Sequence, residues 1–249
     1  MGNIEIKSAI VLTAFGDRQK YIKRAVDNIR EYLPGVHIYI YTDRDSNHCH
    51  TEIYKAVMCK DLWPRHDRGG NRNSDYYRGV AMLDLRFKYR VVLYMDDDLQ
   101  IIHKGFKDII DITLLHKTVT VVKNPRDYVG FDAKRGTDSP GKIEEKYYRM
   151  MGYNSGIIAA AVGNNRVQSF FSNYLKGFLE EPGRAPVHLW RAAMQTGLFP
   201  YVLPEQWLVM EPSAKRVFGE AERYEPMCIH RSDREPRRQY AKFSQAHEG

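Results

Sequence analysis

The stretch VVLYMDDDLQII, residues 91–102, decides how this chain is read. Val91 to Met95 form an unbroken apolar run, the pattern of a strand buried on both faces. The run passes directly into Asp96, Asp97 and Asp98, and apolar residues resume at Leu99. Adjacent carboxylates repel one another, and a cation at the same place relieves that repulsion. A polar turn also puts Asp at a strand end, but it needs one Asp or Asn, usually with Gly, and no Gly follows here. The acids therefore point to a metal ion carried by a phosphorylated substrate, with the plain turn as the alternative. If extension continues through them, Asp97 points away from Asp96 and Asp98 and plays a structural part.

Outward from this stretch the chain alternates strand and helix. SAIVLTAFGD, residues 8–17, reads as a buried strand ending in a turn at Gly16 and Asp17. Ile22, Ala25, Val26, Ile29 and Leu33 recur at helical spacing, and Pro34 and Gly35 stop that helix. VHIYIYTD, residues 36–43, is a second strand closing at Asp43, and Arg44 to Asn73 is polar and irregular or mixed. From Ser74 a helical pattern through Tyr76, Val80, Leu83 and Phe87 leads into the strand of the opening stretch. Downstream, KTVTVVKN, residues 117–124, is a strand, and the polar segment 130–150 suits either a mobile loop over a site or a plain surface loop. YNSGIIAAAV, residues 153–162, is predicted to turn at Asn154–Gly156 and re-enter the core as a strand. A helix through Val167, Phe170, Phe171, Tyr174 and Leu175 follows, then one more apolar strand within 196–212. This succession is that of an α/β sheet with crossover connections, in which ligands gather at the carboxyl ends of strands. Asp17, Asp43 and Asp96–Asp98 all fall at such ends. No repeat or linker divides the chain, so one domain over 1–249 is expected, with a charged peripheral tail from about 231.

Composition narrows the classes. A hydrophobic share of 43% rules out wholesale disorder, and the formal charge of +7 favours anionic partners such as nucleotides, phosphorylated glycans, nucleic acid or membrane surfaces. No apolar run reaches membrane-span length, and the start MGNIEIK does not read as a signal peptide. Cys49, Cys59 and Cys228 form no disulfide framework and suit a reducing cytosol, so a cytoplasmic location is expected. The NHCH run at 47–50 with Cys59 does not match zinc-finger spacing. A nucleotidyltransferase on a related sheet would want a Gly-rich phosphate loop, whereas AFGDRQK (14–20) has a single Gly. A nucleic-acid-binding module would interleave exposed aromatics with Lys and Arg, whereas most tyrosines here fall on core-facing positions, so no nucleic-acid partner is expected.

Three segments, in order, resemble a known family. SDYYRGVAMLDLRFKYRVVLYMDDDLQI (74–101), GYNSGIIAA (152–160) and LPEQWLV (203–209) look like elements of glycosyltransferase family eight, the GT-A group with glycogenin and the lipopolysaccharide galactosyltransferases. There a Tyr-x-Arg or Tyr-Arg helix precedes an apolar strand ending Tyr-Leu-Asp-x-Asp. Tyr77, Arg78, Tyr94, Met95, Asp96 and Asp98 fill those places here. The resemblance implies a GT-A fold: an α/β, Rossmann-like, mixed but mostly parallel sheet flanked by helices. It also implies a nucleotide-sugar donor, first a UDP-sugar, a glycan or other hydroxyl acceptor, and Mn²⁺ or Mg²⁺.

By the same resemblance, Asp96 would touch ribose and metal, Asp98 would bind the metal, and His230 in MCIHRSD would complete the ligands. Thr13, Ala14, Phe15, Asp17, Tyr21 and Asp97 would line the nucleotide. Arg78 would reach the donor phosphate or sugar, and Asn154 to Gly156 would shape the sugar pocket. The family's Asp-Gln motif has no clear match: His188, Trp190 and Arg191 stand in the corresponding stretch. For a retaining reaction Glu181, Glu205 and Gln206 are candidates at the reacting face. For an inverting one His188 or Asp132 would take the acceptor proton. Each has a plainer reading. His230 can be a surface histidine, and Arg78 a solvated helix residue whose ion pair is worth well under ~1 kcal/mol. On the donor reading, Arg78→Ala is expected to cut turnover by orders of magnitude while the melting temperature moves little. Arg231, Arg234, Arg237 and Arg238 can be a solvated end or a contact for an anionic acceptor or a membrane periphery.

Overall fold

A computed structural model describes residues 8–43, 54–59, 72–128, 151–180, 184–210 and 226–230. The segment 130–150, the NHCH run, Glu181, Asp132 and the tail from 231 lie outside these residues, as do the side chains of Asp17 and His230.

The first unit is β1 (Ser8–Ala14), α1 (Gln19–Tyr32) and β2 (His37–Thr42). The helical spacing read from sequence is the face that α1 buries: Ile22, Ala25, Val26 and Ile29. Each Ile or Val buried there contributes about 1.5–3 kcal/mol. Gly35, at φ +80, takes the left-handed backbone that lets the chain reverse after Leu33 and Pro34. Within the polar stretch after Asp43 the chain forms β3 (Tyr54–Met58), which the sequence pattern left unmarked. Then come α2 (Arg72–Asp84) and β4 (Val91–Met95), the latter buried at every position.

The buried face of α2 differs from the expected one. Tyr77, Arg78, Ala81 and Met82 are buried, followed by Leu85 just past the helix, whereas Tyr76, Val80 and Leu83 are only partly covered and Phe87 is 82% exposed. The apolar residues span a broad arc, and spacing alone picked its rim rather than its centre.

After β4 come β5 (Leu99–Ile101), α3 (Asp108–His116), β6 (Val119–Tyr128), β7 (Met151–Ala160), α4 (Asn165–Glu180) and α5 (Ala185–Thr196). The chain continues through β8 (Tyr201–Leu203), β9 (Val209–Met210) and β10 (Cys228–His230). The main sheet has the order β3-β2-β1-β4-β7-β6-β8. β7 runs antiparallel to both neighbours, and the other six strands share one direction. Strand order reverses between β1 and β4: the chain builds outward to β3, then returns to the far side of β1. The crevice outside the carboxyl ends of β1 and β4 is therefore the topological switch point, where ligands bind in open α/β sheets.

The expected turn at Asn154–Gly156 is instead part of β7. Val121 pairs with Ile158 but Val122 pairs with Asn154, so β7 bulges away from β6 there. Its pairing with β4 continues unbroken, from Val92–Ala160 to Met95–Ile157, and the Asp96 amide donates to the Gly156 carbonyl at 2.9 Å. The bulge keeps one ladder while breaking the other, which re-aims Asn154 to Gly156 beside the strand end.

Alternation along the strands feeds two cores. Ala9, Val11, Val92 and Tyr94 face α2, α4 and α5; Ile10, Leu12, Leu93 and Met95 face α1 and α3. A second, three-stranded sheet of order β5-β10-β9 sits beside the strand end. Its register sets His230 opposite Leu99, the residue after the triple aspartate. Among the described residues no helix is long and apolar enough to cross a membrane.

Candidate functional site

Because side chains alternate, the consecutive acids at the end of β4 meet cations from opposite layers. Asp96 follows Tyr94 onto the α2 side. There Tyr94 Oη donates to Asp96 Oδ1 at 2.6 Å, and the Thr13 hydroxyl lies 3.1 Å from Tyr94 Oη. Arg78 lies over the Tyr94 ring, its guanidinium carbon 4.4 Å from the centroid, with Nη2 3.6 Å from Asp96 Oδ1. The same guanidinium donates to Asp75 Oδ1 at 2.6 Å, to the Ser155 carbonyl at 2.5 Å and to the Ser74 carbonyl at 3.3 Å. Its side chain is 5% exposed. The solvated-residue reading of Arg78 is therefore corrected: the guanidinium is a buried brace between the acid and the β7 bulge.

Asp97 turns the other way and is 4% exposed. Arg18, from the turn between β1 and α1, donates through Nε to both Asp97 oxygens at 3.0 and 2.9 Å. Arg18 Nη2 also reaches Asp97 Oδ1 and lies 3.0 Å from Asp98 Oδ2. Burial, with Asp98 and Asp96 adding, pushes the Asp97 carboxyl up to about 6 against the pull of Arg18. Burial likewise drives the Tyr94 hydroxyl well above its ordinary value, so it stays a neutral donor toward Asp96. Two arginines thus answer much of the repulsion that the triple aspartate creates.

The β7 bulge forms the facing wall. Asn154 Oδ1 accepts from the Gly156 amide at 2.8 Å. A Cβ on Gly156 would stand 3.0 Å from Asp96 Oδ2, 3.2 Å from Asn154 Oδ1 and 3.3 Å from the Leu208 side chain. Glycine is what keeps this cradle open. Toward β2, the Gly16 amide donates to both Asp43 oxygens at 3.1 Å, and Phe15 packs on Tyr77 with centroids 5.4 Å apart.

The structure thus brings Thr13, Phe15, Arg78, Asp96, Asp97, Asp98 and Asn154 to one crevice. The Thr13 hydroxyl is spent on Tyr94, Ala14 is fully buried in the α1-side core, and Phe15 packs in the opposite one. A ligand meeting residues 13–15 would therefore meet main chain. Tyr21 offers its ring to cations, with Arg18, Lys20 and Arg24 at 5.0, 4.8 and 5.5 Å.

His188 does not fit a reacting face. It is 1% exposed, its ring lies 3.9 Å from that of Phe178, and a Cβ on Gly177 would come within 2.7 Å of its Nδ1. It is packing between α4 and α5, and an acceptor hydroxyl cannot reach it. Trp190 is similarly buried, stacked on Tyr153 at 5.4 Å. Glu205 lies at the carboxyl end of β8, 3.9 Å from Lys123 Nζ, and Gln206 follows in the same short 3₁₀ turn. Sequence reasoning passed over Arg18, Asp75 and the Ser155 carbonyl. Arg18 carried a readable signal, an arginine in the turn directly across the switch point from the acids.

Among the described residues no three metal-ligating side chains converge. Asp96 and Asp98 nonetheless supply hard carboxylate oxygens at one turn, and the β10 register brings the His230 backbone alongside. With the cradle that a Cβ at Gly156 would fill, this donor set fits a Mg²⁺ or Mn²⁺ ion whose remaining oxygens come from a substrate.

No family model matches the chain, and no curated protein sequence matches it. Among solved structures it is similar to an active-site mutant of LgtC, at 12% identity and a TM-score of 0.59, over 96% of this chain and 94% of that one. With the switch-point topology, that likeness gives the fold: the chain is a mixed, mostly parallel α/β protein of the GT-A type.

Proposed function

We propose that this protein is a glycosyltransferase that takes a sugar from a nucleoside-diphosphate donor, UDP-linked in the first instance, and passes it to a glycan hydroxyl. The observation that carries the reading is Asp96. It stands at the switch point of a GT-A fold, held by Tyr94 and Arg78, with Oδ2 beside the gap that Gly156 leaves. A Mg²⁺ or Mn²⁺ ion held by Asp96, Asp98 and His230 would offset the charge that builds on the departing diphosphate. The chain's own part is positioning. Arg78 locks Asp96 to the Ser155 carbonyl, so the acid and the β7 bulge keep one geometry. Main chain at residues 13–16 borders the nucleotide side, and Asn154 with Gly156 borders the sugar side. With His188 buried, Glu205 and Gln206 are the described candidates to face the reacting carbon.

The test is a screen of nucleotide sugars for slow donor hydrolysis, with Mn²⁺ and with chelator. Release of UDP from one donor, dependent on Mn²⁺ and lost in Asp96→Ala, is the expected result. A folded protein that binds and cleaves none of the donors would overturn the assignment.

A further inference from the structure

We infer that Arg18 couples metal to nucleotide: it holds Asp98 while the diphosphate is absent and yields that carboxylate when ion and diphosphate arrive together. The inference rests on the metal reading above and adds a residue and an order to it. Arg18 makes two unequal contacts. Its grip on Asp97 is two-pronged and buried, Nε meeting both oxygens and Nη2 returning to Oδ1. Its contact with Asp98 is a single nitrogen at 3.0 Å, on the rim where the Arg18 side chain is 32% exposed and that of Asp98 14%. The first contact is fixed by the cost of leaving Asp97 charged and buried; the second can open.

An ion that takes Asp98 Oδ2 displaces that nitrogen, and its two positive charges then face a guanidinium across a short gap. Metal alone is therefore disfavoured. A diphosphate reverses the balance, because its anionic oxygens accept the N–H groups that Asp98 releases. Arg18 can make that exchange without leaving Asp97, so the switch is a change of partner at one nitrogen. Its place in the turn between β1 and α1, across the switch point from the acids, puts it on the nucleotide side of the crevice.

The experiment measures Mn²⁺ binding directly, by electron paramagnetic resonance of free Mn²⁺, with and without UDP. The quantity read is the coupling, the ratio of the two affinities. Wild type is expected to bind Mn²⁺ about 10- to 100-fold more tightly with UDP, within the usual range of linkage between sites. Arg18→Gln should bind Mn²⁺ alone about tenfold more tightly, with the coupling reduced by about the same factor. Because Arg18→Gln strands the buried Asp97 charge, the double variant Arg18→Gln/Asp97→Asn is measured beside it; a uniform change in affinity from the lost charge cancels in the coupling. Unchanged coupling in a folded variant, with wild type binding Mn²⁺ and UDP together, would overturn the role of Arg18 and leave the metal reading standing. Wild type that binds no Mn²⁺ even with UDP would overturn both.

Discussion

Three carboxylates in a row persist at the end of a core strand because each sits in a different environment. Asp96 takes a phenol and shares Arg78, Asp97 takes Arg18 from the opposite layer, and Asp98 takes the outer nitrogen of that same arginine. Asp98 shares Arg18 with Asp97 because extension does not continue: the chain turns there, the Leu99 amide donating to the Asp96 carbonyl at 3.2 Å. Only the separation of Asp97 from Asp96 was readable from the strand period of two. The burial of Arg78 was not, because an arginine among polar helix residues carries no mark of the stacking and carbonyl contacts that bury it. Its removal therefore has a consequence that a surface position would lack. Arg78→Ala removes the arginine that Asp75 and Asp96 share, with Arg184 still near Asp75, and takes the donor from the Ser155 carbonyl. The expected cost is about 2–4 kcal/mol, less than for a fully buried pair because both carboxylates are about a quarter exposed. Urea denaturation of wild type and variant, with donor turnover measured alongside, checks this. A midpoint unchanged within error would return Arg78 to the helix surface.

At the scale of elements, the helices behind the site pack through glycine. A Cβ on Gly79 of α2 would lie 2.6 Å from the Tyr174 ring of α4, closer than real contacts allow. That ring is fully buried, and its hydroxyl donates to the Asp75 carbonyl at 2.5 Å, so it has no slack. Gly79→Ala should destabilise by about 1–2 kcal/mol, overpacking outweighing the roughly 1 kcal/mol that alanine gains in a helix. The melting temperature should fall by about 2–8 °C. Gly163→Ala is the control: nothing stands within 4 Å of a Cβ there, and no loss is expected. Equal melting of the two variants would show that α2 and α4 are not closely locked. Close approach of this kind is invisible in sequence, where a glycine inside a helix reads only as a weak spot. The same limit hid the β7 bulge. Asn154, Ser155 and Gly156 carry turn chemistry; only the pairing of Asn154 with β6 on one side and the bond from the Asp96 amide to Gly156 on the other reveal that the strand runs through them. It also misplaced His188, since a histidine between apolar helix residues reads equally as a ligand or as packing.

For the whole molecule, the order of strands does what no single motif does. It carries the β1 turn, the β4 acids and the β7 bulge to one crevice, and the small sheet adds β10 from the far end of the described chain. Strand and helix succession made the α/β class legible, and with it the carboxyl-end site; the antiparallel β7 and the second sheet depend on long-range pairing that periodicity does not encode. This convergence predicts how ligands act on global stability. An ion and a diphosphate that bind the folded crevice and not the unfolded chain stabilise by mass action, about 2.7 kcal/mol at a hundredfold excess over the dissociation constant. Mn²⁺ and UDP together should raise the melting temperature by more than the sum of their separate shifts, because the diphosphate supplies oxygens that the protein lacks and Arg18 resists the ion alone. Asp98→Ala should abolish the metal-dependent part while leaving the UDP shift, and Asp96→Ala should weaken both. His230→Ala should move the preference from Mn²⁺ toward Mg²⁺, as loss of an imidazole leaves a harder donor set. Differential scanning calorimetry with each ligand alone and with both is the measurement. Equal shifts for wild type and Asp98→Ala would mean that no ion binds there, leaving the triple aspartate a turn held by two arginines.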